Sequence, residues 1–397
     1  MNNLFIKNTF LNGQNVDVLI KNNRFEKIEK NINLSSEESA TIDVLDGKDT
    51  AILPTYFNGH THAAMTCLRG YADDMELFKW LNEYIWPYEA KMTDEDIYLA
   101  SQTAINEMIR TGTTFFSDMY WSPAETMKVI RQAGLRACVG LTFLDVTGEK
   151  TIQQLYDFAR EQKELQTADS LIQFSLAPHA IYTVCEKNLI ESKELARKLG
   201  MKYHIHVSET AQEVADCKMN HGGLTPVQYL DELGVLDENT ICAHMVHLSD
   251  KDIEIVRDRK VVSVHNPCSN MKLSSGAMRV QDMIDAGCRV ILGTDGASSN
   301  NNLCMREEMK FAALMAKLQY GPESVSAQTV FDMATRAGAM AFGIDAGRIE
   351  VGALADAQLV DLNNVLLQPM HNLISNMVYS ADSSVVKHVI CNGKLIY

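Results

Sequence analysis

Several things are missing from this chain. No stretch of its 397 residues approaches the ~20 consecutive apolar residues of a membrane-spanning helix. Positive charge is scarce, with 36 Lys and Arg against 51 Asp and Glu, and the net charge of -15 argues against nucleic acid or an anionic membrane as partner. The nine cysteines never form C-x-x-C, and their odd number leaves no disulfide framework, which points to a reducing, cytoplasmic compartment. The opening MNNLFIKNTFLNGQNVDVLI alternates apolar and polar residues and carries no signal-peptide h-region. There is no low-complexity segment. What remains, 46% apolar and 22% charged, is the composition of a soluble globular protein with a sizeable core.

The first fifty residues and the last fifty share one character. NVDVLI, RFEKIEKNI, GRIEVGALADAQLVDL and SVVKHVICNGKLIY are short, alternating or β-branched, and punctuated by Gly and Asn. Both ends are expected to pair into one small sheet domain, since chain termini often lie close together. Between them a short apolar run is followed by an amphipathic stretch, repeatedly. The runs are AILPTYF, TTFFSDM, RACVGLTF, LIQFSLAP, KYHIHV, TICAHM, VVSVHN and RVILGTD. The intervening TDEDIYLASQTAINEMIRTG opens with Thr93 as N-cap and acidic residues in the first turn, and stops at Gly112. Eight strand candidates alternating with helices predict an α/β fold, a (β/α)8 TIM-type barrel of about 250 residues. A doubly wound open sheet competes. The barrel is favoured because the chemically suggestive residues fall at the C-terminal ends of the strands, where barrels build their sites.

Most of the eleven histidines belong to that set. His60 and His62, in NGHTHAAMT, share one face by the period of two along a strand. H-x-H alone is equally a pair of satisfied polar residues. With His206 and Asp295 it becomes a set of imidazoles and one carboxylate suited to a divalent ion: Zn²⁺ first, with Fe²⁺ or Mn²⁺ also able to use such ligands. His204 shares the face of His206 but lies deeper, which suits a hydrogen-bonded core histidine. His244 ends the sixth run and is taken over His247, just beyond it, for proton transfer. Glu209 sits three residues past His206, where a proton donor is needed. Asp295 has an alternative as a helix N-cap, weakened by the cap residues that the following ASSNN supplies itself. No lysine ends the fourth strand, so no carbamate bridge to a second metal is expected.

A metal of this kind lowers the pKa of water toward neutrality. A neutral carboxylic acid beside it suits deamination of an aromatic amidine, whose ring nitrogen must be protonated before water adds.

Taken in order, NGHTHAAMTCLRGYADDMELFKWLNEYIWPYEA, APHAIYTV, HIHVSET, AHMVHLSD, HNPCSNMKLSSG and LGTDGASSNNNL closely resemble the amidohydrolase superfamily, in its branch of 5-methylthioadenosine/S-adenosylhomocysteine deaminases. ADAQLVDL and HVICNGKLIY extend the likeness to the C-terminal end. The resemblance implies a catalytic barrel over about residues 54–345 and a small β-sandwich built from 1–53 and 346–397; His60, His62, His206 and Asp295 as metal ligands; and Glu209 and His244 as proton-transfer residues. It also implies Glu89, otherwise an ordinary helix residue, on the ribose hydroxyls, and His179 on the purine. The implied activity is hydrolytic deamination of an adenosine-type nucleoside, with a nucleoside as partner and homo-oligomerisation left open. Where the branch carries an arginine for the carboxylate of S-adenosylhomocysteine, in a stretch like GLRAxLSR, this chain reads GLRACVGLTF with Leu141. Leucine cannot form an arginine–carboxylate fork, and Arg136 stands five residues earlier. A neutral 5′ group, as in methylthioadenosine, 5′-deoxyadenosine or adenosine, fits better. The alternatives are an aminohydrolase of a free base such as guanine, a pterin or a triazine, and a non-catalytic, metal-free binding scaffold.

Overall fold

The computed structural model describes residues 3–167 and 170–397. At the N-terminus, alternating residues form Leu4–Leu11 (β1), Gln14–Lys21 (β2) and Arg24–Glu29 (β3), paired antiparallel. Asn12-Gly13 and Asn22-Asn23 turn the hairpins with positive φ at all four positions, which matches the right-handed strand twist. Asp43–Asp46 (β4) and Thr50–Pro54 (β5) then lie parallel to β1.

The run AILPTYF is divided. Its first half completes β5. After Thr55 the chain leaves that sheet as Tyr56–Thr61 (β6), the first barrel strand. Thr113–Tyr120 (β7), Arg136–Phe143 (β8), Ile172–Pro178 (β9), Lys202–Val207 (β10), Thr240–His244 (β11), Val262–His265 (β12) and Arg289–Leu292 (β13) follow, each parallel to the one before. The architecture is therefore the barrel and not the open doubly wound sheet.

The ring shuts between β6 and β13. The Asp295 N–H donates to the His60 carbonyl at 3.0 Å, and Asn58 is clasped to Thr294 through both ends of its amide at 2.7 and 3.0 Å. Gly293 permits this approach, since a Cβ there would lie 2.8 Å from the His60 amide nitrogen.

Helices cover the barrel. Asp94–Arg110 begins at Thr93, in a reciprocal capping box with Asp96. The segment Leu77–Glu89 stays helical but widens in its middle, where the Trp86 N–H donates to the Leu81 carbonyl five residues back. Pro87 has no N–H to continue the ordinary pattern.

Ala357–Asp361 (β14), Val386–Cys391 (β15) and Lys394–Leu395 (β16) bring the C-terminus back onto β5, giving one sheet in the order β16-β15-β14-β5-β1-β2-β3. Arg136, at the start of β8, joins this sheet to the barrel. Its Nε donates to Asp356 at 2.8 Å and an Nη to Asn392 at 2.7 Å, with both ion-pair partners buried. Among the described residues no helix is long and apolar enough to cross a membrane.

Candidate active site

Histidine at the end of an apolar strand is held by what its second nitrogen meets. His62 turns Nδ1 to the Met119 carbonyl (2.6 Å) and His206 turns Nδ1 to the His179 carbonyl (2.8 Å). Each carbonyl accepts an N–H from Nδ1, which turns Nε2 of each ring inward, and the two Nε2 atoms lie 3.4 Å apart. His60 pairs Nδ1 with Nε2 of His204 at 3.0 Å, and His204 in turn reaches Ser117. His204 thus lies in the layer beneath. The His60 Nε2 is buried and has no hydrogen-bond partner.

Asp295 completes the set. Its Oδ1 lies 3.2 Å from Nε2 of His62 and 3.5 Å from Nε2 of His60. Donors placed tetrahedrally about Zn²⁺ at ~2.1 Å would be spaced by ~3.4 Å, which the His62–His206, His62–Asp295 and His60–Asp295 separations approach. Burial would raise the Asp295 carboxyl, yet the facing imidazoles hold it well below the usual carboxylate range, leaving it ionised. Its Oδ2 accepts from Ser269 at 2.5 Å and Ser299 at 3.1 Å.

On the other side of that cluster, His244 donates from Nδ1 to Asn270 Oδ1 at 2.8 Å. Its Nε2 then faces Oε2 of Glu209 at 3.7 Å and Oδ2 of Asp295 at 3.9 Å. Glu209 is buried, which raises its carboxyl and favours the protonated form. Glu213 stands behind it and accepts the backbone N–H groups of Ser208 (2.9 Å) and Glu209 (2.7 Å). Ser208, His244, Met245 and Asp295 all have left-handed φ, between 50° and 75°. Such conformations cost L-residues of order 1–3 kcal/mol each, and here they aim the strand tips at one point.

One cavity is open above these groups. Glu89, His179 and Tyr182 line it together with Glu209 and His244. Glu89 has a buried Oε1 with no hydrogen-bond partner, and burial raises its carboxyl. Burial and the surrounding imidazoles push His179 down to about 3, so its ring is neutral near pH 7. The cavity passes outward into an apolar vestibule of Trp86, Trp121, Leu144, Val146 and Tyr182.

All eight residues singled out from the sequence therefore meet around this cavity or immediately beneath it. His247 and His265 do not. His247 is bound to the Ser275 carbonyl, and His265 is fully buried beside Leu292. Leu141 also lies away from the cavity. Its side chain packs in the layer between strands and helices, whereas the next residue, Thr142, lines the site. The sequence did not single out Asn58, Ser269, Asn270, Ser299 or Glu213. Ser269 and Asn270 lie inside HNPCSNMKLSSG, but a lone Ser or Asn has no spacing that marks a partner.

With this geometry in hand, comparison with known proteins is decisive. Residues 51–396 match the amidohydrolase family model. The chain belongs to the amidohydrolase family. It is 42% identical over 382 residues to a 5′-deoxyadenosine deaminase of Methanosphaera stadtmanae, covering 96% of this chain and 89% of that one. It is 43% identical to a 5-methylthioadenosine/S-adenosylhomocysteine deaminase of Thermococcus sibiricus, with the same coverage of 96% and 89%. Among solved structures, a zinc-bound adenosine deaminase from Xanthomonas campestris superposes with a TM-score of 0.90 at 33% identity, over 99% of this chain and 91% of that one. The guanine deaminase of C. acetobutylicum, at 23% identity and a TM-score of 0.86 over 100% and 99% of the two chains, shares the fold.

Proposed function

We propose that this amidohydrolase removes the 6-amino group of adenosine-type nucleosides by hydrolysis, giving the inosine analogue and ammonia. The observation that carries the reading is the convergence of a carboxylic acid, Glu209, and an imidazole, His244, beside the donor set of His60, His62, His206 and Asp295. Those four residues would hold one divalent ion, Zn²⁺ by the chemistry of the set. When bound, such an ion supplies Lewis acidity that makes water nucleophilic near neutral pH.

This chain's own groups handle the protons. Glu209 gives its proton to the ring nitrogen next to C6, which leaves that carbon electrophilic. Asp295 and His244 take a proton from the attacking water; His244 can do so because Asn270 keeps its existing proton on Nδ1. The water oxygen bonds to C6, the amino nitrogen receives that proton from His244, the C6–N bond breaks as ammonia leaves, and the proton of the new hydroxyl passes to Glu209, which leaves C6=O and restores the acid. His179, neutral, faces the purine, while Glu89 accepts from the ribose hydroxyls with its unpartnered oxygen. The same reading divides the chain into a catalytic barrel, residues 54–345, and a second domain from 1–53 and 346–397, whose strands form one mixed sheet and not the two layers of a β-sandwich.

The vestibule supports a neutral 5′ group. Among the described residues that line it, none is Lys or Arg, so the carboxylate of S-adenosylhomocysteine would enter unpaired. Thr142 and this apolar wall, rather than Leu141, supply the physical reason. Ammonia release should be measured from methylthioadenosine, 5′-deoxyadenosine, adenosine, S-adenosylhomocysteine, guanine and a pterin. The first three should react. Turnover of S-adenosylhomocysteine as efficient as that of methylthioadenosine refutes the specificity, and turnover of free bases alone refutes the nucleoside reading.

A further inference from the structure

Outside the cavity, the helix Met305–Tyr320 carries a fully buried carboxylate, Glu308. Among the described residues no Lys, Arg or His lies within ion-pair distance of it. Its partners are neutral. Oε2 accepts the Cys268 backbone N–H at 3.2 Å, and Oε1 accepts Nδ2 of Asn300 at 2.6 Å. That same Nδ2 donates to the Thr294 carbonyl at 2.6 Å. Burial pushes the carboxyl up to about 8, a measure of what it costs to keep an acid there. Packing alone does not account for it, since an apolar side chain would fill the space without that cost.

What Glu308 joins is informative. Cys268 is the second residue of the short helix Pro267–Lys272 and is followed by Ser269, on Asp295 Oδ2, and Asn270, on His244 Nδ1. Asn300 closes the loop after β13, which carries Asp295 itself and Ser299, its second hydroxyl partner. The two segments touch again where the Ser269 and Ser299 hydroxyl oxygens lie 3.0 Å apart. One carboxylate thus spans the gap between the support of His244 and the support of Asp295. Glu213, by contrast, clasps only its own segment.

We propose that Glu308 is a positioning residue that sets the distance between His244 and Asp295 by tying together the loops that carry their hydrogen-bond partners. The inference rests on the proton-transfer roles given above. At pH 9, where the carboxyl is ionised and both oxygens accept from N–H groups, Glu308→Gln turns one amide NH₂ against a donor and breaks one arm while conserving volume. On zinc-loaded enzyme, E308Q should lower kcat about 10- to 100-fold, the scale on which small misplacements act, with KM for methylthioadenosine within about twofold of wild type. Metal content and melting temperature should stay near wild type. Asn300→Ala releases the other arm and should lower kcat in the same way. If the two act as one device, the double variant falls well short of the product of the single losses. If E308Q does not fold, N300A decides alone. His244→Gln separates the failures. If H244Q is inactive while E308Q and N300A keep kcat within twofold, the positioning role is overturned and the site reading stands. If H244Q stays active, both are overturned. Matching losses in melting temperature and metal content would reduce Glu308 to a structural residue and also overturn the proposal.

Discussion

Glu89→Gln probes recognition without touching the chemistry. The Glu89 Oε1 is buried and unpartnered in the free protein, so a ribose hydroxyl donating to it satisfies a group that otherwise stands alone. A hydrogen bond to a charged acceptor contributes ~1.5–3 kcal/mol. Gln keeps one acceptor but replaces the other with an NH₂ that cannot accept. Burial, which raises the Glu89 carboxyl and so disfavours its charge, trims the gain. We expect a loss of about 1–3 kcal/mol in transition-state binding, or roughly 5- to 150-fold in kcat/KM for a ribonucleoside. The assay is steady-state ammonia release by wild type and E89Q on adenosine and on 2′,3′-dideoxyadenosine. Removing the hydroxyls should cost the wild type a similar factor, and E89Q should treat the dideoxy substrate nearly as wild type does. An equal loss on both substrates, or none on adenosine, would refute the argument that this carboxylate reads the diol.

Three further predictions concern stability and the metal. Arg136→Ala strands Asp356 as a buried charge and should destabilise the protein by about 3–5 kcal/mol, read as a lower urea midpoint, whereas Arg136→Met with Asp356→Leu should cost less. Burial pushes Glu213 up to about 7, against 4.5 in the unfolded chain, so between those values the folded state holds a proton that the unfolded state has released. Its contribution to stability therefore falls by ~3 kcal/mol as pH rises through that window, and Glu213→Gln should show a shallower decline in melting temperature from pH 4.5 to 7. Chelation should abolish deamination and lower the melting temperature, and Zn²⁺ should restore both, whereas Mg²⁺, which prefers oxygen ligands, should restore neither.

Much of the fold was legible because the barrel repeats one signal, an apolar run followed by an amphipathic stretch. The boundary inside AILPTYF was not legible. Apolarity continues across Pro54-Thr55 while the chain changes sheets, and hydrophobicity carries no label for the sheet it joins. The histidines could be read because each stands where a strand must end. Glu89 could be read only through resemblance, since it sits on a helix whose widened turn no periodicity announces. Leu141 shows the limit of position without orientation. Strand side chains alternate, so a shift of one residue exchanges the cavity for the outer layer, and Thr142 is the one that faces in. Asn270 and Glu308 meet His244 and Cys268 across 26 and 40 residues of sequence, and only the folded chain brings those partners together.

The donor set straddles the joint of the ring. His60 lies in the first barrel strand and His62 just past its end, whereas Asp295 follows the last strand, across the one place where β6 and β13 meet. An ion held there is a rivet as well as a reagent, because it pins the beginning of a long circuit of chain to its end. Any slackening of that junction, from a lost Asn58 clasp or a bulkier residue at position 293, would register first as a change in metal affinity, before any strand frays.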